Sequence, residues 1–90
     1  NIPIQIKVAP VDSNKMRPLL KRMIDESWIT AGRIIEDEGE ILLETNESDK
    51  FYAKFPQILE KEEIIVKKIA SEDDSLDSLY SKLVEGKQWN

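Results

Sequence analysis

Apolar and polar residues alternate almost from the first position: Ile2, Ile4, Ile6 and Val8 fall on one side, Pro3, Gln5 and Lys7 on the other. That period of two marks a half-buried strand. Pro3 lacks the amide that a ladder needs, which places it at a strand start or on an edge. The period then changes. Met16, Leu19, Leu20, Met23 and Ile24 recur at the spacing of one helical face, and Asp12, Ser13 and Asn14 stand ahead of them as caps. Pro18 is expected in the first turn, where its missing N–H costs least. Trp28 follows the helix and is expected to cover one end of the core.

The stretch AGRIIEDEGEILLET (residues 31–45) reads as a hairpin. With Glu36, Asp37, Glu38 and Gly39 forming a type I turn and Gly39 left-handed, Glu36 would face Glu40 and Ile34 would face Leu42. This register predicts Ile35, Ile41 and Leu43 on the core side and Ile34 and Leu42 on the other, because the first set carries more apolar bulk.

Residues 46–63 read as a second helical region, with Phe51, Phe55, Ile58 and Leu59 as its buried stripe and Ser48 as a cap. Pro56 is expected either to kink this helix or to open a shorter one, since it removes a donor from the ladder. A fourth strand is expected over 64–69. The last segment, SEDDSLDSLYSKLVEGK (residues 71–87), carries the marks of a final helix. Ser75 can cap it, Glu72, Asp73 and Asp74 lie at the positive end of its dipole, and Leu76, Leu79, Tyr80, Leu83 and Val84 form one stripe. Gly86 suits a left-handed cap, with Lys82 and Lys87 near the negative end.

The order strand, helix, strand, strand, helix, strand, helix predicts an α+β chain: a ferredoxin-like βαββαβ antiparallel sheet covered by helices on one face, with an additional C-terminal helix. Ninety residues suffice for one small domain over 1–90 with a single core. The first residue is Asn1 and the alternation starts at once, as expected for a piece of a longer chain.

Composition narrows the chemistry. A net charge of −5 and a pI near 4.7 disfavour a surface made to neutralise phosphate backbones or anionic lipid. With no cysteine and no histidine, disulfides, thiol nucleophiles, the usual zinc sites and the commonest neutral-pH base are all ruled out. The longest aliphatic runs, 41–43 and 64–66, fall far short of the roughly 20 residues of a membrane span, and no leader segment is visible. There is no G-x-x-x-x-G-K-[ST] loop, and Gly32, Gly39 and Gly86 are too scattered to form a phosphate cradle.

The hairpin acids Glu36, Asp37, Glu38 and Glu40 lack calcium-loop spacing and read as a solvated turn. The acids at 72–74 read as dipole compensation. Asn46-Glu47-Ser48 matches the glycosylation acceptor triplet, but three residues match easily by accident. The segment is therefore expected to be non-enzymatic, without cofactor or metal. A sheet surface carrying Ile34, Leu42, Glu36, Glu40 and Glu44 disfavours RNA, which calls for stacking aromatics in a basic setting.

The ending, with Ser75, Leu76, Asp77, Leu79, Tyr80, Leu83 and Gly86, resembles that of the C-terminal accessory domain found after the ATP-binding domain in many exporter-type ABC transporter subunits. Upstream, Phe55-Pro56-Gln57-Ile58-Leu59 looks like that family's proline-started helix before its last strand, so the resemblance spans about residues 4–86. It implies a regulatory role in the cytoplasm, membrane-associated only through a transporter complex. The implied partner is the ATP-binding domain of the same polypeptide or a second copy, and any ATP chemistry would lie in sequence before Asn1. Ile34 and Leu42, as opposed aliphatics on the helix-free face bordered by acids, are the expected contact spot. The competing expectation is a ferredoxin-like module that binds a metabolite near strand and helix ends and regulates an attached enzyme; a purely structural adaptor is the third.

Overall fold

The computed structural model describes residues 3–71. The chain begins as β1 (Ile4–Pro10), turns through a short 3-10 segment (Ser13–Lys15) into α1 (Met16–Ile24), and returns as β2 (Ile29–Ile35). A hairpin leads to β3 (Glu40–Thr45), α2 (Ser48–Glu62) crosses back, and β4 (Val66–Ser71) closes the sheet. The four strands lie in the order β2-β3-β1-β4, every neighbouring pair antiparallel. The molecule is thus α+β with a βαββαβ order compatible with the expected ferredoxin-like arrangement. The expected C-terminal helix lies outside the described residues.

The alternation at the start of the chain gives β1 its two sides. Ile6 and Val8 are fully buried, while Gln5 is exposed and Lys7 half-buried. Pro3 precedes the strand, so its missing N–H does not interrupt a central ladder. Asp12 caps as expected, its carboxylate accepting from the Asn14 N–H at 2.9 Å, and Pro18 sits in the first turn of α1. Met16, Leu19 and Met23 bury against the sheet, but Ile24 is 51% exposed and leaves the predicted stripe. The helix ends there, so its last residue overhangs the core.

α1 lies close on β2 at Gly32. A Cβ at this position would come within 2.7 Å of Leu20 Cδ1 and 3.2 Å of Leu43 Cδ2. The missing side chain is what lets the helix approach the sheet there.

Of the two expectations about Pro56, α2 overturns the shorter helix opening there. The helix runs through it from Ser48 to Glu62. Both Pro56 and Tyr52, whose carbonyl the proline leaves without an intrahelical donor, face outward, so water can serve that carbonyl. Phe51, Phe55 and Ile58 are buried as predicted. Phe51 stacks on Phe55 with ring centroids 4.7 Å apart and meets Trp28 edge-on at 5.9 Å.

Ser48 is the first helical residue and does not cap. Fully buried Thr45 serves the junction instead: its hydroxyl donates to the Trp28 carbonyl and accepts from the Glu47 N–H at 3.0 Å. One side chain thereby ties the end of β3 to the approach to β2 and to the start of α2. The helix stops at Glu63, which adopts a left-handed conformation (φ 58°), and the Ile64 N–H bonds back to the Leu59 carbonyl at 2.9 Å. β4 consequently starts two residues later than the predicted 64–69 and runs on to Ser71.

Candidate interaction face

The β2–β3 hairpin decides which side chains the helix-free face presents. Residues 36–38 form a 3-10 turn whose Glu36 carbonyl accepts from the Gly39 N–H at 3.2 Å, with Gly39 left-handed at φ 66°. All four residues 36–39 thus belong to the loop, and Ile35 pairs with Glu40. The expected register is off by one. Ile34 opposes Ile41, not Leu42, and packs against the core; Leu42 opposes Arg33 on the other face. Because side chains alternate along a strand, this single step exchanges the predicted roles of Ile34 and Ile35. Of the two predicted contact residues, the structure leaves only Leu42 on the helix-free face.

Three rows of side chains cross that face. The first runs Ile35, Glu40, Ala9 and Lys68 across all four strands; the second runs Arg33, Leu42, Lys7 and Ala70; the third holds Ala31, Glu44 and Gln5. In the first row Ala9 separates Glu40 on β3 from Lys68 on β4, two strand spacings or about 9.6 Å away. The methyl group of Ala9 is low enough for Lys68 to reach over it and place Nζ 2.7 Å from Glu40 Oε2. Ala9, only 3% exposed, lies beneath that bridge. Lys7 Nζ lies 3.5 Å from Glu38 Oε1 on the hairpin.

Glu40 is 5% exposed and its Oε1 has no hydrogen-bond partner among the described residues. The Lys68 hydrogen bond holds its carboxyl below the ordinary glutamate range against the opposing effect of desolvation. Toward the β2 edge the face changes character. Gln5, Ala31, Arg33, Leu42 and Glu44, with the backbone of Gly32, line a shallow depression of about 120 Å³. Thr30, at the bulge between Ile29 and Ala31, donates to Glu44 Oε1 at 2.9 Å. Arg33 is exposed and forms no ion pair among the described residues.

A second hollow, of about 390 Å³, lies where the 3-10 turn before α1 meets the hairpin. Ser13, Asn14, Met16, Arg17, Ile34, Glu36 and Gly39 line it. Across it Arg17 and Glu36 approach to 3.6 Å, both largely exposed. On the helical side, Arg22 bonds Glu26 at 2.6 Å and lies 3.6 Å from Glu62, joining α1 to α2. The hydrogen bond from Arg22 lowers the Glu26 pKa. Among the described residues no group of three or more acids is arranged to hold a metal ion, and no helix is long and apolar enough to cross a membrane.

Sequence reasoning missed the Glu40–Lys68 bridge because its partners sit on strands that are not neighbours. The one local signal was the small Ala9 between them. Compared with protein families, with curated proteins and with solved structures, the chain matches none.

Proposed function

We propose that the chain is a non-catalytic accessory domain of the kind that follows the ATP-binding domain in exporter-type ABC transporter subunits. It acts by contact, docking its helix-free face on the ATP-binding domain of the same polypeptide. The observation that carries this reading is that face itself: half-buried Leu42 beside the guanidinium of Arg33, which has no ion pair among the described residues, over a shallow depression of about 120 Å³. An apolar centre with a charged rim is the anatomy of a modest protein contact. Two further features support it. The segment Phe55-Pro56-Gln57-Ile58-Leu59 lies in the helix before β4, although that helix begins at Ser48 and is not started by the proline. The residues at 75–86 supply the matching ending. Regulation by such a domain requires that its contacts differ between the open and closed arrangements of two ATP-binding domains.

The test begins with the residues encoded before Asn1, which this reading expects to form an ATP-binding domain. That domain, produced separately, should bind the 90-residue chain, and Leu42→Ser with Arg33→Ser should weaken the binding about tenfold or more. Absence of an ATP-binding domain, or binding indifferent to both substitutions, overturns the proposal.

The hollow between the start of α1 and the hairpin favours a second reading, a metabolite-sensing module, because it lies where strand and helix ends meet. Saturable binding of a small anion by the isolated chain, abolished by Arg17→Ala, would select that reading over the first.

A further inference from the structure

We infer that the open edge of β2 pairs with the same edge of a second copy of this chain, about a two-fold axis at Gly32, joining two four-stranded sheets into one of eight strands. The inference goes beyond the docking reading and stands without it. Leu42 stays uncovered on the joined face.

The two edges of the sheet differ. The strand order leaves β2 at one edge and β4 at the other. β4 carries Lys67 and Lys68, and lysines discourage a further strand from adding to an edge. β2 holds neither lysine nor proline, and Arg33 is its only charge. Alternate N–H and C=O groups along β2 point away from β3 and meet no other strand among the described residues. Its bulge lies at the Ile29 end, which leaves Ala31 to Ile35 in regular register with β3.

Charge selects the register. A two-fold axis perpendicular to the sheet keeps each face on its own side, so β2 meets its copy in a register centred on one residue. Centred on Gly32, the second copy's Arg33 stands opposite Ala31, whose other neighbour is Glu44. The same geometry exists within the chain, where Lys68 reaches over Ala9 to Glu40: a long cation crosses an alanine to a glutamate two strands, or about 9.6 Å, away. Among the described residues Arg33 is exposed and has no ion pair, and the Glu44 carboxylate engages only its Oε1, with Thr30 at 2.9 Å. Symmetry forms the bridge twice. Lys68 and Lys7 keep their own partners, Glu40 and Glu38. Centring on Arg33 would set two guanidiniums against each other, and centring on Ala31 would set Arg33 against the bulge.

The helix above the edge adds an apolar contact. Arg22 lies 3.6 Å from Glu62, so its flank of α1 faces α2. Leu20 and Ile24 lie about 160° round the helix from Arg22, on the flank beside the open edge. Leu20 is partly buried over Gly32, whereas Ile24 is 51% exposed. The axis at Gly32 brings these side chains toward the equivalent flank of the second copy. Arg17, on the same flank, is held by Glu36 of its own chain, and exposed Lys21 is turned about 100° from Leu20 toward solvent.

The paired stretch is short, which places the dimer among weak associations. Sedimentation equilibrium of the 90-residue chain should show dimers that increase with concentration. Arg33→Glu leaves acids at both 33 and 44, and Glu44→Arg leaves cations at both; each variant alone should associate about tenfold or more weakly. An equimolar mixture of the two should restore association, because every bridge then joins opposite charges. An effect confined to one chain is not rescued by mixing. Ile24→Ser should weaken the dimer and Leu42→Ser should leave it unchanged, while near-ultraviolet circular dichroism from buried Trp28 verifies that each variant is folded. A chain still monomeric at about 1 mM, association indifferent to the charge reversals, or a mixture no better associated than its components overturns the inference. So does association lost with Leu42→Ser, which assigns the contact to the face instead of the edge. No ATP-binding domain enters the assay, so its failure is distinct from failure of the transporter reading.

Discussion

The two faces of one sheet follow different physical rules. Under the helices, Ile6, Val8, Ile41 and Leu43 are completely buried and meet Phe51, Phe55 and Leu19, so stability there comes from apolar area and close packing. On the other face the sheet presents Lys7, Arg33, Glu40, Glu44 and Lys68, and Lys68 reaches across β1 to Glu40. A side chain on the first face is fixed by volume. On the second it is fixed by partner and by distance, which makes that face cheap to alter and suited to recognition.

The sharpest contrast is between Phe51 and everything on the open face. Phe51→Ala empties a site bounded by Trp28 and Phe55 and should cost about 3–5 kcal/mol. That is a large share of the about 5–15 kcal/mol typical of small domains, and urea denaturation should show a much lower midpoint.

Neighbouring residues of the hairpin offer a second contrast. Ile34→Ser places a hydroxyl against the core and should cost about 1–3 kcal/mol. Leu42→Ser, half-buried on the helix-free face, should stay within about 1 kcal/mol of the parent. Equal losses at both positions would break the distinction between the faces.

The mildest effect concerns pH. The folded-state pKa of Glu40 is lowered, chiefly by the Lys68 hydrogen bond, so its contribution is fully present above the unfolded value of about 4.3. It is lost as pH falls through the lower folded value. Glu26, lowered by Arg22, acts in the same direction. Thermal melting should therefore fall on acidification below about pH 4.3. Lys68→Met removes the cause and leaves desolvation, so the variant should be less stable at neutral pH and lose less stability across the acid range. A melting curve against pH that is as steep in the variant as in the parent would contradict the bridge.

The legibility of the sequence follows the same division. Period-two and helical patterns located β1, the core stripe of α1 and the aromatic residues of α2, because one buried face imposes a period that local sequence displays. The hairpin register escaped because Glu36, Asp37, Glu38 and Gly39 suit both a tighter turn and the four-residue loop that forms. The choice between them is made by Ile34 packing against the core. The start of α2 was open for a related reason: propensity counts the donor lost at Pro56 and allows a helix that begins there, whereas an outward-facing carbonyl can bond water and lets the helix begin at Ser48. Of the candidate face, Leu42 was legible from alternation, but Arg33 opposite it was hidden by the register, and the Glu40–Lys68 bridge by its span across β1. The segment 71–87, richest in sequence signals, lies largely outside the described residues.

The two-faced sheet rests on the pairing of β2 with β3, and nuclear magnetic resonance reads that pairing directly. Cross-strand backbone contacts linking Ile34 with Ile41 and Arg33 with Leu42, together with side-chain contacts from Ile34 to the core, are the result predicted here. Contacts linking Ile34 with Leu42 and Ile35 with Ile41 would contradict it, returning Ile34 to the open face and dissolving the division from which the interaction site was argued.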